Sequence, residues 1–232
     1  MLNTIIFDLD GTLLPLDMEK FMKIYFNEMG SHFAHMINPK ELVNIIWAST
    51  DAMINNTEER VNEDVFMEDF SKRISGDLEI YKKMFDEFYD SGFLKVKDSV
   101  FESKTIQAAV NVLKDKGYTL VIATNPLFPL KAILHRIKWA GFSPEDFIYI
   151  SSYEKNHYCK PQVKFYDEIL KDIKKLPEEC IMVGNDVQED LVAGELGIKT
   201  FLIKDFVLNK GNSDFEADYE GSYEDFYNFV KA

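Results

Sequence analysis

The chain has 232 residues, of which 46% are apolar, and 40 acidic against 26 basic side chains leave a net charge of −14. That apolar share supplies a packed core and excludes a disordered chain. The acidic excess makes nucleic acid a poor partner, because binding there rests on neutralising phosphates with Lys and Arg. The length suits one large domain, or one domain with a substantial insert. Cys159 and Cys180 show neither metal-site spacing nor a disulfide framework, which points to a reducing cytoplasm. The amino terminus lacks the basic region of a signal peptide, and no stretch approaches the ~18 apolar residues that span a membrane. A soluble cytoplasmic protein is expected.

Ile5-Ile6-Phe7 reads as a strand buried on both faces, and it runs straight into Asp8 and Asp10, followed by Gly11 and Thr12. Residues i and i+2 of a strand point the same way, so the two carboxylates face one spot and invite a hard cation such as Mg²⁺. Asp10-Gly11 is also a hairpin signal, but no alternating second strand follows closely enough for a tight hairpin.

From about Asp17 to Tyr89 the apolar spacing is helical. Met18, Phe21, Met22, Tyr25, Phe26 and Met29 form one stripe; Leu42, Ile45, Ile46 and Met53 form a second, after Pro39 at a helix start. Val61 to Ile74 and Leu78 to Tyr89 carry two more, each ending at Ser-Gly. Four amphipathic helices with short connections predict a small bundle whose Met and aromatic stripes are its core. The polar loop Asn55-Asn56-Thr57-Glu58 is expected to be an exposed connector.

Beyond Phe93 strands and helices alternate. The spacing predicts a helix over 105–116, a strand over 119–123, a helix over 127–139 and a strand over 147–150. A helix over 161–171, a strand over 180–183, a helix over 189–196 and a strand over 199–203 follow. Five strands with intervening helices imply an α/β fold, a doubly wound Rossmann-like parallel sheet with the α-helical bundle inserted after its first strand. The expected division is a core domain of residues 1–14 and 97–232 and an inserted domain of 15–96, joined through linkers near Leu14–Asp17 and Ser91–Val100. The acidic, aromatic tail from Asp214 is expected to form a surface helix near Tyr223–Val230.

Each later strand ends in polar residues. Thr124-Asn125-Pro126 reads as a helix cap and equally as a phosphate cradle, since a hydroxyl and free amides at a helix start suit an anion. Lys160 precedes Pro161 at another expected helix start. Asp186 and Glu189 have capping-box spacing, while acids at the end of a buried strand in register with the first suggest a cation site.

Phe7-Asp8-Leu9-Asp10-Gly11-Thr12-Leu13 resembles the first motif of the haloacid dehalogenase-like hydrolases, which are mostly phosphatases. Thr124, Lys160-Pro161 and Gly184-Asn185-Asp186 resemble the second, third and fourth motifs, in order. The long gap between motifs one and two resembles the subclass with a helical cap inserted there. One departure is Asn185, where many members carry Asp directly after the glycine. The resemblance implies a Mg²⁺-dependent phosphatase of a small phosphorylated metabolite that works through an aspartyl-phosphate. Asp8 is then the nucleophile and a metal ligand, and Asp10 the general acid and base, with its backbone carbonyl on the metal. Thr124, Asn125 and Lys160 would bind the phosphoryl group and Asp186 the metal. Asn185 would supply an oxygen or orient a water, and Asp190 would be an anchor or a water-mediated ligand. The resemblance also implies that Asp10 separates phosphatases and phosphomutases from members that break carbon–halogen bonds, which lack that acid. Two alternatives stand beside this reading: a sugar phosphomutase of the same fold, and a catalytically silent binding or regulatory protein.

Overall fold

In the computed structural model, which describes residues 2–211 and 216–232, the chain begins with the expected buried strand. The strands are β1 (Thr4–Phe7), β2 (Thr119–Ile122), β3 (Tyr149–Ile150), β4 (Cys180–Gly184), β5 (Lys199–Ile203) and β6 (Tyr219–Gly221). They form one parallel sheet in the order β3-β2-β1-β4-β5-β6. Phe7 pairs with Ile122 on one side and Val183 on the other. The residues that follow these three strands therefore emerge together at the carboxyl edge, where the strand order reverses and open α/β sheets bind ligands.

Between β1 and β2 lie α1 (Met18–Phe33), α2 (Pro39–Ile54), α3 (Asn62–Arg73) and α4 (Leu78–Tyr89). Three start where the sequence places a capping side chain. Asp17, Asn38 and Asp77 each accept a backbone N–H of the first turn at 2.9 Å, satisfying a donor that the helix itself leaves unpaired. The α1 stripe buries Phe21, Tyr25, Met29 and Phe33. The chain crosses between insert and sheet twice, and the crossings pair with each other. Leu16 bridges Val100, Asp17 N–H donates to the Ser99 carbonyl at 3.0 Å, and Phe101 N–H donates to that of Pro15 at 2.9 Å.

The remaining helices are α5 (Lys104–Asp115), α6 (Leu130–Trp139), α7 (Val163–Ile173) and α8 (Tyr223–Lys231). Strand alternation sorts the core into two layers. Ile5, Phe7, Leu120, Ile122, Ile181 and Val183 pack with α5, α6 and α8, while Ile6, Val121 and Met182 pack with α7. Among the described residues no helix is long and apolar enough to cross a membrane.

Several local expectations are corrected. Residues expected to link insert to sheet, Gly92–Ser99, form a 3₁₀ helix that buries Phe93 and Val96. The helix expected from residue 127 begins at Leu130, so Thr124 and Asn125 stand in a loop and cap nothing. The helix expected from Pro161 begins at Val163. Within the helix expected over 189–196, residues 191–196 form a 3₁₀ helix that ends at Gly197 in the left-handed region. The strand expected over 147–150 covers only its last two residues. β6 is an additional edge strand of three residues, two of them exposed, too short to show a period. The tail helix forms as expected, whereas Asp214 lies outside the described residues.

Candidate active site

The carboxyl edge brings Asp8, Asp10, Thr124, Asn125, Asn185, Asp186 and Asp190 to one cavity of about 440 Å³. Asp8 directly follows β1, and its N–H continues the ladder to the Val183 carbonyl at 2.9 Å. The Asp8 backbone is thus held by sheet hydrogen bonding.

Lys160 lies beneath that carboxylate, only 1% exposed. Its Nζ donates to Asp8 Oδ1 at 2.8 Å and to Asp190 Oδ1 at 2.6 Å. Burial works against the lysine's charge, but Asp190 and Asp8 outweigh it and hold the ammonium well above its ordinary range. Burial pushes the Asp8 carboxyl up to about 8, opposed by Lys160.

The loop after β4 is braced by its own backbone. Asp186 Oδ1 accepts the N–H groups of Gln188 at 2.9 Å and Glu189 at 2.8 Å. Asp190 turns back to accept Asp186 N–H on Oδ2 at 2.8 Å. That return is possible because Gly184 has no Cβ, which would sit 2.1 Å from Asp190 Oδ2. Both Asp190 oxygens are therefore committed, one to Lys160 and one to the loop. The side chain anchors the lysine to the loop after β4.

Two further side chains are committed to the scaffold. Asn185 Oδ1 accepts the Thr12 hydroxyl at 2.9 Å, and its Nδ2 donates to the Phe206 carbonyl at 2.7 Å. The amide ties the motif-one loop to the β5–β6 connection. Asn125 accepts Lys160 N–H at 3.2 Å and donates to Glu189 Oε2 at 3.0 Å. It braces the lysine's backbone from the cavity wall. The Thr124 hydroxyl, by contrast, makes no side-chain hydrogen bond among the described residues, although Thr124 is buried and lines the cavity. Its carbonyl accepts the Ser151 hydroxyl at 2.7 Å, which fixes the loop.

Arg136 of α6 is a residue the motifs did not single out. It is fully buried, its Nη1 pairs with Asp10 Oδ2, and its guanidinium carbon lies 4.6 Å from the Phe128 ring centroid. Its Nη2 and Asp10 Oδ1 have no partner among the described residues. The signal was present in the sequence: Arg136 falls among Ala132, Ile133, Ile137 and Ala140, on the apolar face of its helix. A buried-face arginine needs an acid, and the acid comes from 126 residues away. Lys210 is a second residue not singled out. Its Nζ lies 3.1 Å from Glu189 and 3.5 Å from Asp186 at the cavity rim.

The donors suit a hard cation. Asp8 Oδ2 accepts no hydrogen bond among the described residues, and Asp186 Oδ2 has only Lys210 beside it, so each carboxylate keeps an oxygen at the cavity. No group of three His, Cys, Asp or Glu side chains among the described residues could hold a metal alone.

A parallel sheet whose switch point gathers strand-end aspartates, a hydroxyl and a buried lysine defines a candidate hydrolase site at the carboxyl edge of an open α/β fold. The family model for haloacid dehalogenase-like hydrolases matches residues 2–196, and the chain belongs to that family. It is 24% identical over 224 residues to pyrophosphatase PpaX of Bacillus mycoides (strain KBAB4), covering 96% of this chain and 91% of that one. Among solved structures, a HAD phosphatase from Thermococcus onnurineus superposes with a TM-score of 0.61 at 18% identity, covering 99% and 97% of the two chains. The 2-haloacid dehalogenase of Pseudomonas syringae pv. Tomato DC3000 reaches 0.66 at 17% identity, covering 100% and 98%. Phosphatase and dehalogenase thus share this fold, and the fold alone does not separate the two activities.

Proposed function

We propose that the protein is a Mg²⁺-dependent phosphatase of a small phosphate ester, with the insert of residues 15–96 acting as a cap over the site. The observation that carries this reading is the arrangement around Asp8: a carboxylate at the cavity floor, held by Lys160, with a second aspartate two residues on. A dianionic ester repels a carboxylate nucleophile, so the site must cancel charge locally. Mg²⁺ bound by Asp8, Asp186 and the Asp10 carbonyl would supply that cancellation.

Asp8 then attacks phosphorus, and the bond from phosphorus to the ester oxygen breaks. Lys160 and the Thr124 hydroxyl stabilise the phosphoryl oxygens. Asp10 gives a proton to the departing oxygen, which leaves as an alcohol. Asp10, now a carboxylate, takes a proton from the water that attacks the aspartyl-phosphate, and Asp8 and inorganic phosphate are regenerated. With Oδ2 held by Arg136, Oδ1 is the oxygen left to carry that proton. Asp10 favours phosphatase over dehalogenase, because cleavage of a carbon–halogen bond releases halide and needs no proton donor. The name of the PpaX relative makes pyrophosphate one substrate to test.

The test is phosphate release from a panel of esters and pyrophosphate, with Mg²⁺ and with EDTA. Metal-dependent release that disappears in Asp8→Asn is the expected result. A hexose phosphate that isomerises without releasing phosphate would indicate a mutase. No turnover of any compound would indicate a binding protein.

A further inference from the structure

The cavity has two unlike ends. The floor carries Asp8, Asp10, Thr124 and Asp186, and the opposite wall comes from the four-helix insert. That wall presents Met22, Phe26, Trp47, Phe66 and Phe85 and, among the described residues, no charged side chain. Its two buried tyrosines, Tyr25 and Tyr89, direct their hydroxyls at each other at 3.1 Å. Trp47 is 51% exposed and Met18 40% exposed, and both line the cavity. Met18 belongs to the first apolar stripe and Trp47 lies beside the second, so apolar surface that the bundle core does not take up faces the cavity.

A hexose hydroxyl set against this wall would lose its water and find few partners, a loss of roughly tenfold per group. The second phosphate of pyrophosphate would fare worse. The cations lining the cavity among the described residues, Arg136 and Lys210, stand beside carboxylates, Asp10 for the first and Glu189 and Asp186 for the second, so the second phosphate would have to compete with those acids for them and would itself approach two of the acids. An alkyl or aryl group would instead remove both itself and the exposed Trp47 and Met18 surface from water.

We infer that the substrate is a monophosphate ester of an apolar alcohol or phenol, with the phosphoryl group on the floor and the organic group against the insert. This rests on the phosphatase reading and names the substrate class of the same site. Water supplies one oxygen to phosphorus, and the ester oxygen leaves with a proton, so the products are inorganic phosphate and the free alcohol or phenol.

The experiment uses the full chain with Mg²⁺ and measures kcat/KM for n-alkyl phosphates of increasing length, for phenyl and naphthyl phosphate, for a hexose phosphate and for pyrophosphate. Beyond ethyl, chain length barely changes the leaving alcohol's acidity, so the alkyl series reads the wall alone. The expected rise is roughly two- to four-fold per methylene until the cavity fills. Naphthyl phosphate is expected to exceed phenyl phosphate, and the hexose phosphate and pyrophosphate to be poorest. Trp47→Ala, a change at a half-exposed position, is expected to lower kcat/KM for naphthyl phosphate about tenfold and to flatten the alkyl series. A flat or falling series, or preference for the hexose phosphate or pyrophosphate, overturns the inference and leaves the phosphatase reading standing. Absence of turnover across the whole panel overturns the phosphatase reading itself.

Discussion

Arg136 and Asp10 form a buried ion pair that joins α6 to the loop after β1, directly beside the nucleophile position. The arginine is 1% exposed at its side chain and the aspartate 18%. Removing the guanidinium alone leaves a carboxylate facing an apolar ring, which costs more than the pair contributes. Arg136→Met is expected to destabilise the protein by roughly 2–3 kcal/mol, a figure reduced from the fully buried case because Asp10 is partly open. Adding Asp10→Asn to Arg136→Met is expected to recover part of that loss. Urea denaturation of the two single variants and the double variant measures the coupling, and strict additivity would show that the contact is energetically idle.

Asp8 links burial to pH. Its folded value is raised from 3.8 to about 8, chiefly by burial, so the protonated form is the one the fold favours. Its contribution to stability is therefore present below 3.8 and lost as pH rises toward about 8. Lys160 is also shifted upward, from a range already above this window, and stays charged across it, so its own contribution does not vary there. In protein treated with EDTA, Asp8→Asn is expected to raise Tm at the upper end of the window and leave it nearly unchanged at the lower end. Thermal melts of both proteins across that range check the sign.

The same two acids are separable by leaving group. Asp8→Asn is expected to abolish turnover of every ester, since no nucleophile remains. Asp10→Asn is expected to lose roughly 10²–10⁴-fold with alkyl esters and far less with nitrophenyl phosphate, whose leaving group needs no proton. Equal losses with both classes would remove Asp10 from the general-acid role.

Gly11 adopts φ +84°, and a Cβ there would lie 2.3 Å from Asn185 Nδ2. Gly11→Ala therefore adds backbone strain of about 1–2 kcal/mol and pushes on the amide that ties the first loop to the fourth. The expected result is lower stability together with lower kcat. An unchanged denaturation midpoint would mean that the loop relaxes freely.

The net charge of −14 repels a dianionic substrate at long range. With substrate well below KM, kcat/KM is expected to rise modestly from very low to moderate salt, because screening over about 8 Å weakens bulk repulsion before it reaches the short ion pairs of the site. A steep fall across that range contradicts this electrostatic picture.

The sequence by itself determined the parallel-sheet class, the helical insert and the strand-end positions of Asp8, Thr124 and Asp186. All of these follow from local signals: unbroken apolar runs for buried strands, helical stripes for the bundle, and polar residues where a run stops. The helix after β2 and α7 start later than the spacing predicts, because Pro126 and Pro161 imitate a first-turn proline while the loops continue beyond them. Only tertiary structure decided which polar groups stay free. Asn125, Asn185 and Asp190 look as available in the sequence as Thr124 and Asp186, yet each spends its polar atoms on a partner brought by another segment. Arg136 shows the converse, since its acid comes from the far end of the chain's first loop. Hydrogen-bond saturation depends on which segments meet, and distance along the chain carries no record of it.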